Sequence, residues 1–157
     1  HNIGDYIAAP FIHAVGGSWI CTRKDIADGN FDKITALCRE ARQNALGFEF
    51  AHFGINCENV ESSTEVSNFF QTAFDFPLKD GSSSVFASPN IEILKSSNLG
   101  AYGHIAIRTN NILCAVPELE RAGFYADTST AKYKDDRLVA LYLKQEIGGF
   151  AIHLLQK

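Results

Sequence analysis

The sequence lacks several features that mark whole classes of protein. It has no run of about 18 apolar residues, so we expect no membrane-spanning helix. It has no basic block, and 14 Lys and Arg against 18 Asp and Glu leave a net charge of −4, so nucleic acid is not an expected partner. Apolar residues make up 46 % of the chain, which excludes a disordered protein. Methionine is absent and His1 stands first, so we expect a piece of a longer protein or a processed chain.

The four cysteines form no recognisable metal or redox motif. They are widely spaced and lie in no CxxC or CxxH pattern: Cys21, Cys38, Cys57 and Cys114. We expect reduced, mostly buried thiols in a cytoplasmic protein. A chain of 157 residues can bury a core without disulfides or structural metals.

A change of pattern near residues 44–48 divides the chain into residues 1–47 and residues 48–157. In the first part, Phe11–Val15 is predicted as a buried strand, followed by a glycine loop and by a helix over Phe31–Gln43. Strand, loop and helix in this order are a unit of a parallel α/β fold. Alone, such a unit cannot bury a sheet face, so it must pack against something else.

The second part contains an internal repeat of about fifty residues, with the element order βαβββ twice. The first module is predicted as Phe48–Cys57, the helix Val60–Phe74, Lys79–Asp80, Ser84–Ala87 and Ile91–Lys95. The second is predicted as Gly103–Thr109, the helix Ile112–Ala122, Ala131–Tyr133, Leu138–Lys144 and Phe150–Gln156. The fold class is therefore α+β.

Four strands of this repeat each carry one polar residue on the face opposite their large aliphatic side chains. These residues are His52, Glu92, His104 and His153. Imidazole nitrogen and carboxylate oxygen suit zinc, nickel, cobalt, manganese or iron, so the pattern indicates a divalent metal site. A single histidine on a half-exposed strand is more often a surface or hydrogen-bonded residue, and that reading stays open. The equivalent positions within a repeat favour the joint site.

Residues 50–157 resemble the vicinal-oxygen-chelate superfamily, which includes glyoxalase I and extradiol dioxygenases. The resemblance is carried by Glu92, by Ala51-His52 and by Gly100-Ala-Tyr-Gly-His104-Ile-Ala-Ile. It implies paired βαβββ modules, the same four metal ligands, a keto acid or dicarbonyl substrate, and a homo-oligomer. His153 stands where the resemblance predicts glutamate, which removes one of the two carboxylates of a glyoxalase-like mechanism.

Residues 1–46 resemble the end of the 2-keto-3-deoxy-6-phosphogluconate / 4-hydroxy-2-oxoglutarate aldolases. The resemblance is carried by Asn2-Ile3-Gly4-Asp5-Tyr6-Ile7-Ala8-Ala9-Pro10, Ala14-Val15-Gly16-Gly17-Ser18-Trp19 and Gly29-Asn30-Phe31-Asp32-Lys33-Ile34-Thr35. It implies a strand–helix remnant of a (β/α)8 barrel, with a phosphate bound at Gly16, Gly17 and Ser18. The Schiff-base lysine and the acid/base glutamate would lie on earlier strands, and that chemistry needs no cofactor. Lys24 and Lys33 are predicted as solvated charges, not replacement nucleophiles.

Three functional hypotheses follow. The chain is the C-terminal part of an aldolase, a lyase giving pyruvate and an aldehyde, and this part alone is not expected to have aldolase activity. Alternatively, the second part is a metal-dependent enzyme of the glyoxalase and dioxygenase superfamily. A third alternative is a metal-free binding or dimerisation module.

Overall fold

The computed structural model describes residues 2–9, 11–12 and 14–157. The first part of the chain forms three helices: α1 (Ile3–Ala8), α2 (Arg23–Ala27) and α3 (Phe31–Leu46). The second part adds α4 (Val60–Phe74) and α5 (Ile112–Arg121). Among the helices of these ranges, none is both long and apolar enough to cross a bilayer.

Eight strands form a single sheet in the order β2-β3-β4-β1-β5-β8-β7-β6. Their bounds are β1 (Glu49–Asn56), β2 (Leu78–Asp80), β3 (Ser84–Ala87), β4 (Ile91–Leu94), β5 (Gly103–Thr109), β6 (Ala126–Lys134), β7 (Arg137–Ile147) and β8 (Phe150–Gln156). β1 and β5 pair antiparallel at the centre, while β4 runs parallel to β1 and β8 runs parallel to β5. The two βαβββ modules predicted from the repeat are therefore confirmed.

The helices α4 and α5 cover one face of the sheet. Under α5 lies a cluster that includes Ile112, Leu141 and Leu154, and under α4 lies a second cluster around Ile93 and Ala87. Because side chains alternate along a strand, the polar residues between these aliphatics point to the other face. The packing of the helices thus decides which face carries the candidate ligands.

The first part of the chain departs from the predicted strand and loop. No strand precedes β1 among the described residues, and Phe11, at the start of the expected strand, is 78 % exposed. A strand of a parallel barrel needs neighbouring strands to receive its backbone hydrogen bonds, and none of the strands in the described ranges pairs with this segment. His13, within the same segment, lies outside the described residues.

The expectation of mostly buried cysteines is also wrong, since Cys21 and Cys38 are exposed and only Cys57 is buried.

The helical first part packs against the second βαβββ module. Leu46, at the end of α3, joins the aliphatic cluster under α5. Its carbonyl accepts hydrogen bonds from the Thr109 hydroxyl (2.6 Å) and from the Asn110 backbone N–H (2.9 Å). The Asn110 amide also donates to the carbonyls of Asn44 (3.0 Å) and Ala45 (3.1 Å). The last carbonyls of α3, which a helix cannot satisfy internally, are thus capped by the module.

Replacement of Asn110 by alanine is expected to loosen this contact. The carbonyls of Asn44 and Ala45 would lose their side-chain donor, which costs about 0.5–1.5 kcal/mol of unfolding free energy for these part-buried hydrogen bonds. Urea unfolding should report the loss, and hydrogen exchange should become faster across α1 and α3. The control is Asn68→Ala on the exposed side of α4. Equal stability of the two variants would contradict the capping role.

Candidate metal centre

The four residues predicted as metal ligands lie on four adjacent strands and on the same face of the sheet. His52 is on β1, Glu92 on β4, His104 on β5 and His153 on β8. Strand register brings them together, because Ala106 pairs with both His52 and His153. The three histidines are buried, and Glu92 is partly buried.

Three donor atoms form a nearly equilateral triangle. The Nε2 atoms of His52 and His104 are 3.0 Å apart, and the Glu92 Oε2 atom lies 3.1 Å from the first and 3.2 Å from the second. Two ligands bound at about 2.1 Å to one ion, at angles of 90–110°, are separated by about 3.0–3.4 Å. The triangle therefore has the edge length that a common ion would impose.

While Glu92 is ionised, protons alone cannot satisfy all three edges of this triangle. An imidazole nitrogen that carries a proton has no lone pair, so it can donate or accept but not both. If His52 and His104 both donate to Glu92, two N–H groups face each other at 3.0 Å. If one of these two nitrogens instead accepts a hydrogen bond from the other, its lone pair points at the lone pairs of the Glu92 carboxylate, and the two repel. A cation at the centre removes the conflict, because all three atoms then offer it lone pairs.

His153 places a third imidazole beside the triangle, in a group with His52 and His104 that does not include Glu92. Both of its ring nitrogens are buried and have no hydrogen-bond partner among the described residues. A donor nitrogen of each of the three histidines lies within 4.8 Å of the other two. Burial, and then the neighbouring His104 and His52, lower the pKa of His153 to about 3. At neutral pH this imidazole is therefore uncharged and its lone pair is available to a metal.

Glu92 stays ionised in the site. Burial raises its pKa, but hydrogen bonds from His104, His52 and Ser84 outweigh that effect and hold the pKa well below its ordinary value. The Ser84 hydroxyl donates to the second carboxylate oxygen, Oε1, at 2.7 Å. The carboxylate is thus fixed in orientation by a residue outside the ligand set.

Three residues around the site were not found by sequence reasoning. Ser84 and Tyr142 lie on the same face as the ligands, and Tyr142 stacks on His153 with ring centroids 4.5 Å apart. Strand parity would have placed both on this face, but only the strand order shows that they meet the ligands. Gly54 leaves the space that the His104 ring fills, since a Cβ at Gly54 would lie 2.2 Å from that ring.

The predicted phosphate-binding residues, Gly16, Gly17 and Ser18, lie in the irregular segment between α1 and α2. The Trp19 ring covers Gly17, where a Cβ would lie 1.4 Å from it, and α2 is only five residues long. Phosphate binding at these residues stays a prediction. Lys33, expected to be a solvated charge, has a side chain that is 59 % exposed, and its ammonium pairs with the buried Asp25 carboxylate at 2.8 Å.

Comparison with curated proteins finds short matches to aldolases, and no family model matches the sequence. The chain is 52 % identical over 40 residues to 2-dehydro-3-deoxy-phosphogluconate aldolase from Haemophilus influenzae, covering 26 % of this chain and 19 % of that protein. It is 40 % identical over 43 residues to the Treponema pallidum aldolase, covering 27 % and 20 %. The chain thus spans about a fifth of the length of the curated relatives it matches.

Comparison with solved structures decides the fold. A hypothetical protein from Bacillus halodurans superposes with a TM-score of 0.53 at 14 % identity, covering 70 % of this chain and 94 % of the other. Methylmalonyl-CoA epimerase from Mycobacterium tuberculosis superposes with a TM-score of 0.50 at 11 % identity, covering 68 % and 86 %. The chain has a vicinal-oxygen-chelate fold. Strands β1–β8 with α4 and α5 are hereafter the chelate domain, and the aldolase-like segment is joined to it in the same chain.

Stability of the metal-free chelate domain should depend on His153 between pH 6.5 and 4.5. The unfolded chain takes up a proton at this residue below its ordinary pKa of 6.5, whereas the folded chain does so only near 3. The contribution is therefore complete above pH 6.5 and is lost as the pH falls towards 3, with a slope of up to about 1.4 kcal/mol per pH unit. Urea unfolding in chelator measures the slope. His153→Gln should flatten it above pH 4.5, and an unchanged slope would contradict the burial of a neutral imidazole.

A methyl group at Gly54 should disable the centre without removing a ligand. The new Cβ would occupy the space of the His104 ring, so Gly54→Ala should weaken divalent-metal binding by at least about tenfold, as losses in supporting residues do. Gly16→Ala is the control, because open space surrounds a Cβ at that position. Titration calorimetry with Zn²⁺ compares the two. Equal affinities would show that the position of the His104 ring does not matter.

Proposed function

We propose that the chelate domain holds one divalent transition metal through His52, Glu92, His104 and His153 and acts on a small keto acid or dicarbonyl. The observation that supports this most strongly is the triangle of donor atoms with edges of 3.0, 3.1 and 3.2 Å, which no arrangement of protons satisfies while Glu92 is ionised. The partnerless nitrogens of His153 add a fourth donor beside it. Zinc, nickel, cobalt, manganese and iron all accept such a set.

Each side chain around the proposed metal would have its own role. A bound metal would polarise two adjacent substrate oxygens and stabilise an enolate. His52 and His104 orient their Nε2 atoms towards Glu92, whose ionised carboxylate offsets part of the charge of a cation. Tyr142 packs flat on His153 and restricts the rotation of its ring. Ser84 keeps the carboxylate from turning away from the histidines.

The residues present disfavour a glyoxalase-like proton transfer. His153 stands where the resemblance predicts glutamate, so one of the two carboxylates of that mechanism is missing. A metal-dependent isomerase, lyase or dioxygenase that relies on the metal is therefore favoured over glyoxalase chemistry.

The longer protein is proposed to be an aldolase of the 2-keto-3-deoxy-6-phosphogluconate / 4-hydroxy-2-oxoglutarate type, cytoplasmic and homo-oligomeric, with the chelate domain as an accessory. The support is the 40-residue match at 52 % identity joined to a different fold. Such a lyase would release pyruvate and an aldehyde through a Schiff-base lysine. Lys24 and Lys33 lie on α2 and α3 with side chains 82 % and 59 % exposed, so neither has the desolvated site that a Schiff-base lysine needs. This chain alone is therefore not expected to cleave the sugar acid.

A metal-free binding or dimerisation module is the second candidate. It is favoured by the burial of the cluster, because His104 is only 2 % exposed and the Ser84 hydroxyl donates to Glu92 whether or not an ion is bound. Metal content separates the two functions.

Purified wild-type chain is expected to bind about one divalent metal per molecule, with loss of binding in His52→Ala, His104→Ala and Glu92→Gln. Removal of one donor leaves an incomplete ligand set, so the affinity should fall by more than about tenfold. Elemental analysis and calorimetry measure this, and Glu61→Gln, in the exposed first turn of α4, is the matched control. Absence of metal, together with a melting temperature that chelator does not change, would support the metal-free module instead.

A further inference from the structure

A second row of residues lies beside the ligands on the same face of the chelate domain. In this row Lys132 pairs with Ala140, Ala140 with Leu155, and Leu155 with Arg108. A parallel row, called the ligand row because it contains His153, is formed by Tyr142, His153 and Ala106, which pair with one another in the same way. On β7, β8 and β5 the two rows are two residues apart along the strand. The two rows are therefore about 7 Å apart along the strands.

Within the row, Lys132 and Arg108 stand on either side of a small apolar floor, and the row continues beyond Arg108 to Glu49 on β1. Ala140 is buried and Leu155 is half-buried, so neither offers a polar group. Lys132 and Arg108 are separated by three strand spacings, about 14 Å, and both have side chains long enough to reach an anion lying over the floor. Both belong to a chain whose net charge is −4, so a cationic row is not what the composition alone predicts.

Neither cation is fully neutralised by its neighbours. Among the described residues, Lys132 takes part in no salt bridge. Arg108 approaches Glu49 only to 3.9 Å, whereas the Lys157 ammonium lies 3.1 Å from the same carboxylate. One carboxylate therefore serves two cations, and Arg108 is the more distant.

One acidic residue lies on this part of the face. Asp127 is paired in register with Tyr142, and its carboxylate accepts hydrogen bonds from the Ser129 backbone N–H (3.1 Å) and from the Ser129 hydroxyl (2.6 Å).

We propose that Lys132 and Arg108 form an anion subsite, so that the substrate carries, besides its two metal-chelating oxygens, a second anionic group such as a carboxylate or a phosphate. This inference rests on the proposed metal site and narrows its substrate to a doubly functional acid. The chelating oxygens lie at the ligand row, and the distal anion lies over Ala140 and Leu155. Charge-assisted hydrogen bonds from a lysine and an arginine are the strong contacts that would select such a group.

The test compares two acids that share the chelating end and differ only in the distal group. The 157-residue chain is loaded with Mn²⁺, and calorimetry measures binding of 2-oxoglutarate and of 2-oxopentanoate, which lacks the distal carboxylate. Wild-type chain is expected to bind 2-oxoglutarate about tenfold more tightly. Lys132→Gln and Arg108→Gln should each remove most of that preference. Lys134→Gln, at the end of β6 beside the hairpin turn, should keep it.

Metal affinity, measured on the same samples, separates the possible failures. An unchanged affinity for Mn²⁺ in Lys132→Gln shows that the variant is folded and that its loss of preference belongs to the subsite. Equal binding of the two acids by the wild-type chain, or an unaltered preference in Lys132→Gln, would overturn the subsite and leave the metal site standing. Failure of the wild-type chain to bind metal would overturn both. The phosphonate analogue of 2-oxoglutarate identifies whether carboxylate or phosphate is preferred.

Discussion

The placement of lone pairs around His52, Glu92 and His104 is the constraint on which the account of this protein depends. Two imidazole nitrogens and one carboxylate oxygen meet within 3.0–3.2 Å, and no arrangement of protons on the two rings makes every contact favourable while the carboxylate is ionised. Such a cluster is costly in a folded protein unless it is stabilised by a cation. The surrounding structure nonetheless holds it in place through Ser84, through the stacked Tyr142 and through the space left by Gly54.

The sheet explains how a short sequence builds this site. β1 and β5 are equivalent strands of two modules and pair at the centre, and β4 and β8 flank them in parallel. A residue repeated at one position of each module is therefore brought next to its counterpart. The helices bury the opposite face, so the ligands cannot change sides without exposing the aliphatic core. Fold and site thus follow from the same alternation of side chains.

Much of the chelate domain could be predicted from the sequence, because its signals are local. The helix over Val60–Phe74 and the strands Ser84–Ala87 and Gly103–Thr109 have the predicted bounds, and strand parity identified the face that carries the ligands. Ser84 and Tyr142 could not be linked to the site, because their role depends on the order of strands distant in sequence. The expected strand at Phe11–Val15 failed for the opposite reason. Its apolar composition suits a barrel strand, but a strand needs partners, and the first part of the chain packs its helices on the second module instead.

A crystal structure of the chain grown with Mn²⁺ or Zn²⁺, with anomalous data collected at the absorption edge of the metal, tests the central claim most directly. The account predicts one anomalous peak per chain, about 2.0–2.2 Å from the Nε2 atoms of His52 and His104 and from Oε2 of Glu92. A map with no peak at these atoms, and with the imidazoles turned apart to separate hydrogen-bond partners, would contradict it.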